Sequence, residues 1–187
     1  MKRIITHSLL AVLLTAAMFD ASAHPGHLRI TEVNPATGQV EVTNFGPIEF
    51  TLVSSLPLCH RLDCASSIPS GTMFAIGETK VFTVTGLDPS DSDLWLYRDT
   101  NFSDPGSIIS GLKYGPAPNV GHTSTAVAAG LWPNTEAFVA APAPGNTLQL
   151  IAYDPTKPEN WASRTPLLGS FFGDGTEITD PLPDITK

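Results

Sequence analysis

Proline and glycine recur at short intervals along this chain, and that spacing limits its fold more than any other feature. Turn-forming groups stand at Asn34-Pro35, Gly46-Pro47, Pro69-Ser70-Gly71, Asp88-Pro89-Ser90, Asp104-Pro105-Gly106, Gly115-Pro116 and across Ala141 to Gly145. Proline fixes φ and removes a backbone donor, so long helices cannot run through segments broken this often. Between the breaks lie short stretches with alternating or β-branched character: Leu28 to Val33, Val40 to Asn44, Phe50 to Leu58, Val81 to Thr85, Leu94 to Tyr97 and Leu148 to Tyr153. Each reads as a strand. The pattern predicts an all-β sandwich or small barrel with short strands and long loops, and one helix-tolerant stretch, Thr125 to Leu131.

The 17 prolines and 15 glycines among 187 residues stay below the roughly one-quarter share typical of disordered chains. A single folded domain is expected. Acidic residues outnumber basic ones 18 to 10, for a net charge of −8. That balance provides no basic surface for a phosphate backbone, so nucleic acid is not an expected partner.

Residues 1–23 read as a secretory signal peptide. Lys2 and Arg3 precede an apolar run from Ile4 to Phe19, and Ala21-Ser22-Ala23 forms a small-x-small cleavage site. The run is too short for a bilayer span, and no cysteine stands at the cut to take a lipid. A periplasmic or secreted product without a transmembrane segment is expected, with a domain over residues 24–172 and a loose acidic tail over 173–187 on which Phe171 and Phe172 still have the option of docking. In an oxidising compartment Cys59 and Cys64 are expected to form a disulfide. The alternatives are a redox pair, free thiols, or a metal site that recruits His60.

Ile30-Thr31-Glu32-Val33-Asn34-Pro35, followed by Gly38-Gln39-Val40-Glu41-Val42-Thr43-Asn44-Phe45-Gly46, resembles the opening of lamin-tail domains of the bacterial secreted type. Val81 to Gly86, Leu94 to Asp99, Ile108 to Gly115 and the closing Trp161 with Thr165-Pro166 follow in the order of that family's later strands. The resemblance spans about residues 28 to 172. It implies an immunoglobulin-like β-sandwich acting as a binding or scaffolding module, with no shared catalytic residues. The Cys59 to Cys64 insertion and the Asp88 to Asp93 loop depart from the pattern.

Reactive motifs are sparse. There is no H-E-x-x-H, no G-x-S-x-G and no glycine-rich phosphate loop, so no catalytic residue is nominated and the chain is not expected to be an enzyme. Cleavage after Ala23 would make His24 the new N-terminus, whose amine and imidazole could hold copper with His27 or His122 in a histidine brace. That gives a copper carrier or copper enzyme as the alternative function. Asp88, Asp91 and Asp93 offer hard oxygen ligands for calcium, against a plain reading as a solvated turn. Trp95 and Tyr97 share one face of a strand; exposed together with Trp132, they would form a stacking platform for a sugar or a partner surface. That gives a carbohydrate-binding module as a further alternative, set against a packed Trp95. The leading expectation is an exported, non-catalytic binding module without a cofactor, whose partner is a protein or a polysaccharide.

Overall fold

The computed structural model describes residues 25–117 and 121–170. The signal-peptide reading, His24, Phe171, Phe172 and the acidic tail lie outside the described residues.

Two antiparallel sheets face one another. The first has the order β11-β10-β1-β2-β7, built from β1 (Leu28–Asn34), β2 (Gln39–Asn44), β7 (Thr79–Thr83), β10 (Thr147–Leu150) and β11 (Trp161–Arg164). The second has the order β5-β4-β8-β9, from β4 (Leu56–His60), β5 (Asp63–Ile68), β8 (Ser92–Tyr97) and β9 (Ile108–Tyr114). A ribbon of β3 (Phe50–Thr51) and β6 (Met73–Phe74) lies beside them, and one short helix, α1 (Thr123–Ala128), stands in the connection after β9. The all-β sandwich expected from the sequence is thus observed.

Alternation explains the core. Leu28, Ile30, Val33, Val40, Val42 and Leu148 of the first sheet meet Leu56, Leu58, Leu94, Leu96 and Leu112 of the second, all essentially inaccessible to water. A bulge lies between Ile30 and Glu32: Ile30 pairs with Val42 while Glu32 pairs with Glu41, which makes Thr31 the extra residue. The shift keeps Val33 in the core and places Glu32 on the outer face. The freed Ile30 N–H donates to Ser110 Oγ of β9 at 3.1 Å, a direct tie between the two sheets.

Several boundaries differ from the sequence reading. Phe50 to Leu58 is not one strand. It breaks at Val53-Ser54-Ser55, all exposed, because Leu52 exchanges backbone bonds with Gly71 and Thr72 across the β3–β6 ribbon. The expected strand from Val81 to Thr85 starts earlier, at Thr79, and leaves the ladder at Val84, whose N–H bonds to Gly38 O. Leu148 to Tyr153 stops at Leu150, and the helix begins at Thr123 rather than Thr125. The Asp88 to Asp93 loop is shorter than expected, since Ser92 and Asp93 already belong to β8. Strands β5 and β11 carry too little apolar alternation to be read from the sequence.

Past β11 the described residues stay against the domain. Residues 165–170 cross the outer face of the first sheet, where two carboxylates receive them. Glu32 accepts the Leu167 N–H at 3.1 Å and the Thr147 hydroxyl at 2.6 Å. Glu41 accepts the Gly169 N–H at 2.7 Å and the Thr31 hydroxyl at 2.6 Å. Like charges directly across a strand pair repel, and these two are tolerated because backbone and hydroxyl donors supply what water would have given them. Burial raises the Glu41 carboxyl above the usual range; its bonds from Thr31 and Gly169 lower it in part, and Glu32 pushes it up again.

Candidate functional site

The outer face of the β4–β8–β9 sheet gathers most of the residues that carry chemistry. Side chains at Cys59, Asp93, Trp95 and Lys113 point to this side, where Gly111 leaves a gap, and the connection over residues 121–139 folds back across them. Trp95 pairs with Gly111 in the ladder. A Cβ on Gly111 would stand 2.4 Å from the Trp95 ring and 2.1 Å from Leu94 O, so only glycine lets the indole lie flat there. Trp132 closes over it edge-on, with ring centroids 5.8 Å apart, and its N–H donates to Ala137 O at 2.9 Å.

The expected aromatic platform is therefore not available. Trp95 and Tyr97 are 0% exposed and Trp132 is 2% exposed. The physical reason is the cover: a bare Trp95–Tyr97 face would leave a large apolar patch in water, and Trp132, Phe102 and His122 bury it. Tyr97 meets Phe102 and His122 edge-on, at 5.2 Å and 5.6 Å. Burial raises the Tyr97 hydroxyl well above its ordinary range, with Asp93 as a further cause.

Asp93 holds the cover in place. It is 1% exposed. Its Oδ1 accepts the Arg61 N–H at 2.6 Å, and its Oδ2 accepts the Trp95 indole N–H at 2.9 Å, the His122 N–H at 2.8 Å and the Thr123 hydroxyl at 3.1 Å. Arg61 sits at the tip of the β4–β5 hairpin with a φ of 49°, a left-handed conformation that a non-glycine residue adopts at a cost. The bond to Asp93 fixes that turn. The Arg61 guanidinium then reaches Asp91 at 3.1 Å and Asp88 at 3.4 Å.

The three aspartates thus fail to form the calcium site considered for them. Asp93 is turned inward and saturated with donors, while Asp88 and Asp91 face a cation the protein itself provides. The Asp88 carboxyl lies below the usual range, chiefly through the hydroxyl and N–H of Ser90.

His27 and His122, the described members of the histidine group, are not brought together either. His27 stands before β1, packed against Gly46. His122 precedes α1 in the connection that covers the other sheet, its Nε2 3.7 Å from Cys64 Sγ. Cys59 and Cys64 form a disulfide with sulfurs 2.07 Å apart. Among the described residues, the His, Cys and carboxylate group close enough to hold an ion is Cys59, Cys64 and His122, but both sulfurs are committed to each other. His60, the other candidate beside the cysteines, is turned away from them, with Nε2 2.8 Å from Thr85 O.

One residue on this face has no such saturation. Lys113 lies directly across the ladder from Asp93, yet the Asp93 oxygens are spent on other donors. Lys113 is 4% exposed. Its Nζ donates to Thr135 O at 2.8 Å, and among the described residues it has no ion pair. It lines a cleft of about 370 Å³ together with Ala117, Ser124, Thr135 and Glu136.

Sequence reasoning passed over Lys113. The available signal was a lone charge in the run Ile108 to Tyr114, on the same strand face as Gly111. Ser124, in the short helix α1, and Thr135 and Glu136, in the loop that follows, carry no signal of their own.

No family model matches the chain, and no curated protein matches it. No helix among the described residues is long and apolar enough to cross a membrane.

Proposed function

We propose that this chain is an exported, non-catalytic binding module of lamin-tail type, which takes its ligand in the cleft beside Lys113. The observation that carries the reading is the contrast on one face of the sandwich. The groups there that could do chemistry are occupied by structure: Asp93 by four donors, the cysteines by each other, and the tryptophans by packing. The cleft keeps polar side chains at its wall, the arrangement a recognition site uses to orient a ligand. The disulfide supports an oxidising location.

Introducing a bulky ring at the exposed wall tests this directly. Ser124→Trp fills the mouth without touching the core. A panel of small sugars, organic acids and peptides is screened by amide chemical-shift changes on the wild-type chain and on the variant. Shifts clustered around Lys113, Ser124 and Thr135 in the wild type, absent from the variant, are expected. Shifts centred elsewhere, or chemical turnover of any probe, would remove the reading.

A further inference from the structure

We infer that the Lys113 cleft recognises a monovalent carboxylate, an assignment that rests on the binding-module reading above. Three observations lead there. An ammonium group removed from water needs a partner for its charge, and Lys113, 4% exposed, has a carbonyl at hydrogen-bond distance and no ion pair among the described residues. Among the described residues two of its three N–H donors are unspent, enough to engage a carboxylate.

The surroundings fix the valence of the ligand. Among the described residues that line the cleft, Lys113 is the one cation and Glu136 the one carboxylate. Glu136 offsets part of the Lys113 field for any anion, and because the cost of dehydrating an ion grows with the square of its charge while the attraction grows only in proportion, a singly charged carboxylate is favoured over a phosphate dianion. Ser124 adds a neutral hydroxyl at the wall, while the Thr135 hydroxyl already donates to Glu136 at 3.3 Å. A volume of about 370 Å³ accommodates one sugar ring or one amino-acid residue attached to the acid, so two sources share the chemistry: an acidic sugar and the terminal residue of a peptide.

The chain's charge makes this cleft unusual within it. With 18 acidic against 10 basic residues, the surface as a whole repels anions. A lysine held out of water on such a chain, with no ion pair among the described residues, is costly to keep unless something binds it.

The test uses the full processed chain, with glucuronate and N-acetylalanine as the two carboxylate arms, and glucose, N-acetylalanine amide and inorganic phosphate as controls. Binding is read by calorimetry and by chemical shifts. At least one acid should bind, its neutral counterpart and phosphate should bind at least tenfold more weakly, and Lys113→Met should lose at least tenfold in affinity for that acid. The same variant should melt no lower than the wild type without ligand, because it exchanges a buried unpaired charge for an apolar chain of similar length. Which acid binds distinguishes sugar from peptide.

Should both Lys113→Met and Ser124→Trp bind the acid as the wild type does, the cleft and its assignment fall together. Should Ser124→Trp block a probe that Lys113→Met still binds, the module reading stands and the carboxylate assignment is overturned. A lower melting temperature for unliganded Lys113→Met would also overturn it, since the lysine would then be structural.

Discussion

Asp93→Asn changes one atom and tests whether a single carboxylate fastens the cover to the sandwich. In the native chain Asp93 Oδ2 receives three donors and Oδ1 one, the Arg61 N–H at 2.6 Å. The amide does best with its oxygen in the Oδ2 position. Its NH2 then faces the Arg61 N–H, leaving a buried donor without an acceptor, which costs about 1–3 kcal/mol. The three remaining bonds drop from charge-assisted to neutral, a loss of roughly 1 kcal/mol each. Relief from burying a charge offsets part of this, so the net loss should be about 3–5 kcal/mol.

Set against a typical domain stability of about 5–15 kcal/mol, that is a large share. Urea unfolding should be followed by far-ultraviolet circular dichroism for the sheets and by tryptophan fluorescence for Trp95 and Trp132. The variant should show a lower midpoint by both probes, with fluorescence changing first as residues 121–139 lift from β8. A loss of less than about 1 kcal/mol would refute the reasoning, because it would mean that the four short contacts to Asp93 do not hold the cover.

Three further outcomes follow from the same geometry. Glu41 is raised by burial, so between its unfolded and folded values the native state holds the extra proton, and its contribution to stability is lost as pH rises through that window. Glu41→Gln keeps the neutral form at every pH; urea midpoints of variant and wild type should differ more at about pH 7 than at about pH 4, with the variant the more stable at the higher pH. Replacing both Cys59 and Cys64 by serine opens a six-residue ring and should lower stability by about 2 kcal/mol, read as the difference between the unfolding curves of the two chains. Gly111→Ala should destabilise by at least about 2 kcal/mol and shift tryptophan emission, since the new methyl group overlaps both Leu94 O and the Trp95 ring.

Much of the sandwich was legible because its inner faces obey strict alternation. Leu28, Ile30 and Val33, or Leu94 and Leu96, announce strands without any knowledge of their partners. The outer face of the second sheet was not legible, because Leu94-Trp95-Leu96-Tyr97 is apolar on both faces and sequence cannot say which aromatic pair is covered. The cover consists of α1 and the Trp132 loop, whose residues have no period that ties them to β8. Asp93 illustrates the same limit: in sequence it belongs with Asp88 and Asp91 in an acidic loop, and only the strand pairing turns it inward. The C-terminal crossing was hidden for a different reason. Glu32 and Glu41 recognise backbone N–H groups of residues 167 and 169, and a backbone donor leaves no mark on the sequence.

The two outer faces of this molecule solve one problem in opposite ways. On the first sheet, Glu32 and Glu41 are like charges across a ladder, and the chain's own backbone is drawn over them as the compensating donor. On the second sheet, Asp93 and Lys113 are opposite charges across a ladder and would pair if nothing else competed. They do not, because Asp93 is needed to hold Arg61, Trp95, His122 and Thr123. Fastening the cover therefore deprives Lys113 of its natural counter-ion. The cleft and the fastening are two consequences of the same carboxylate, which is why loosening the cover by Asp93→Asn should weaken occupancy of the cleft as well as the fold.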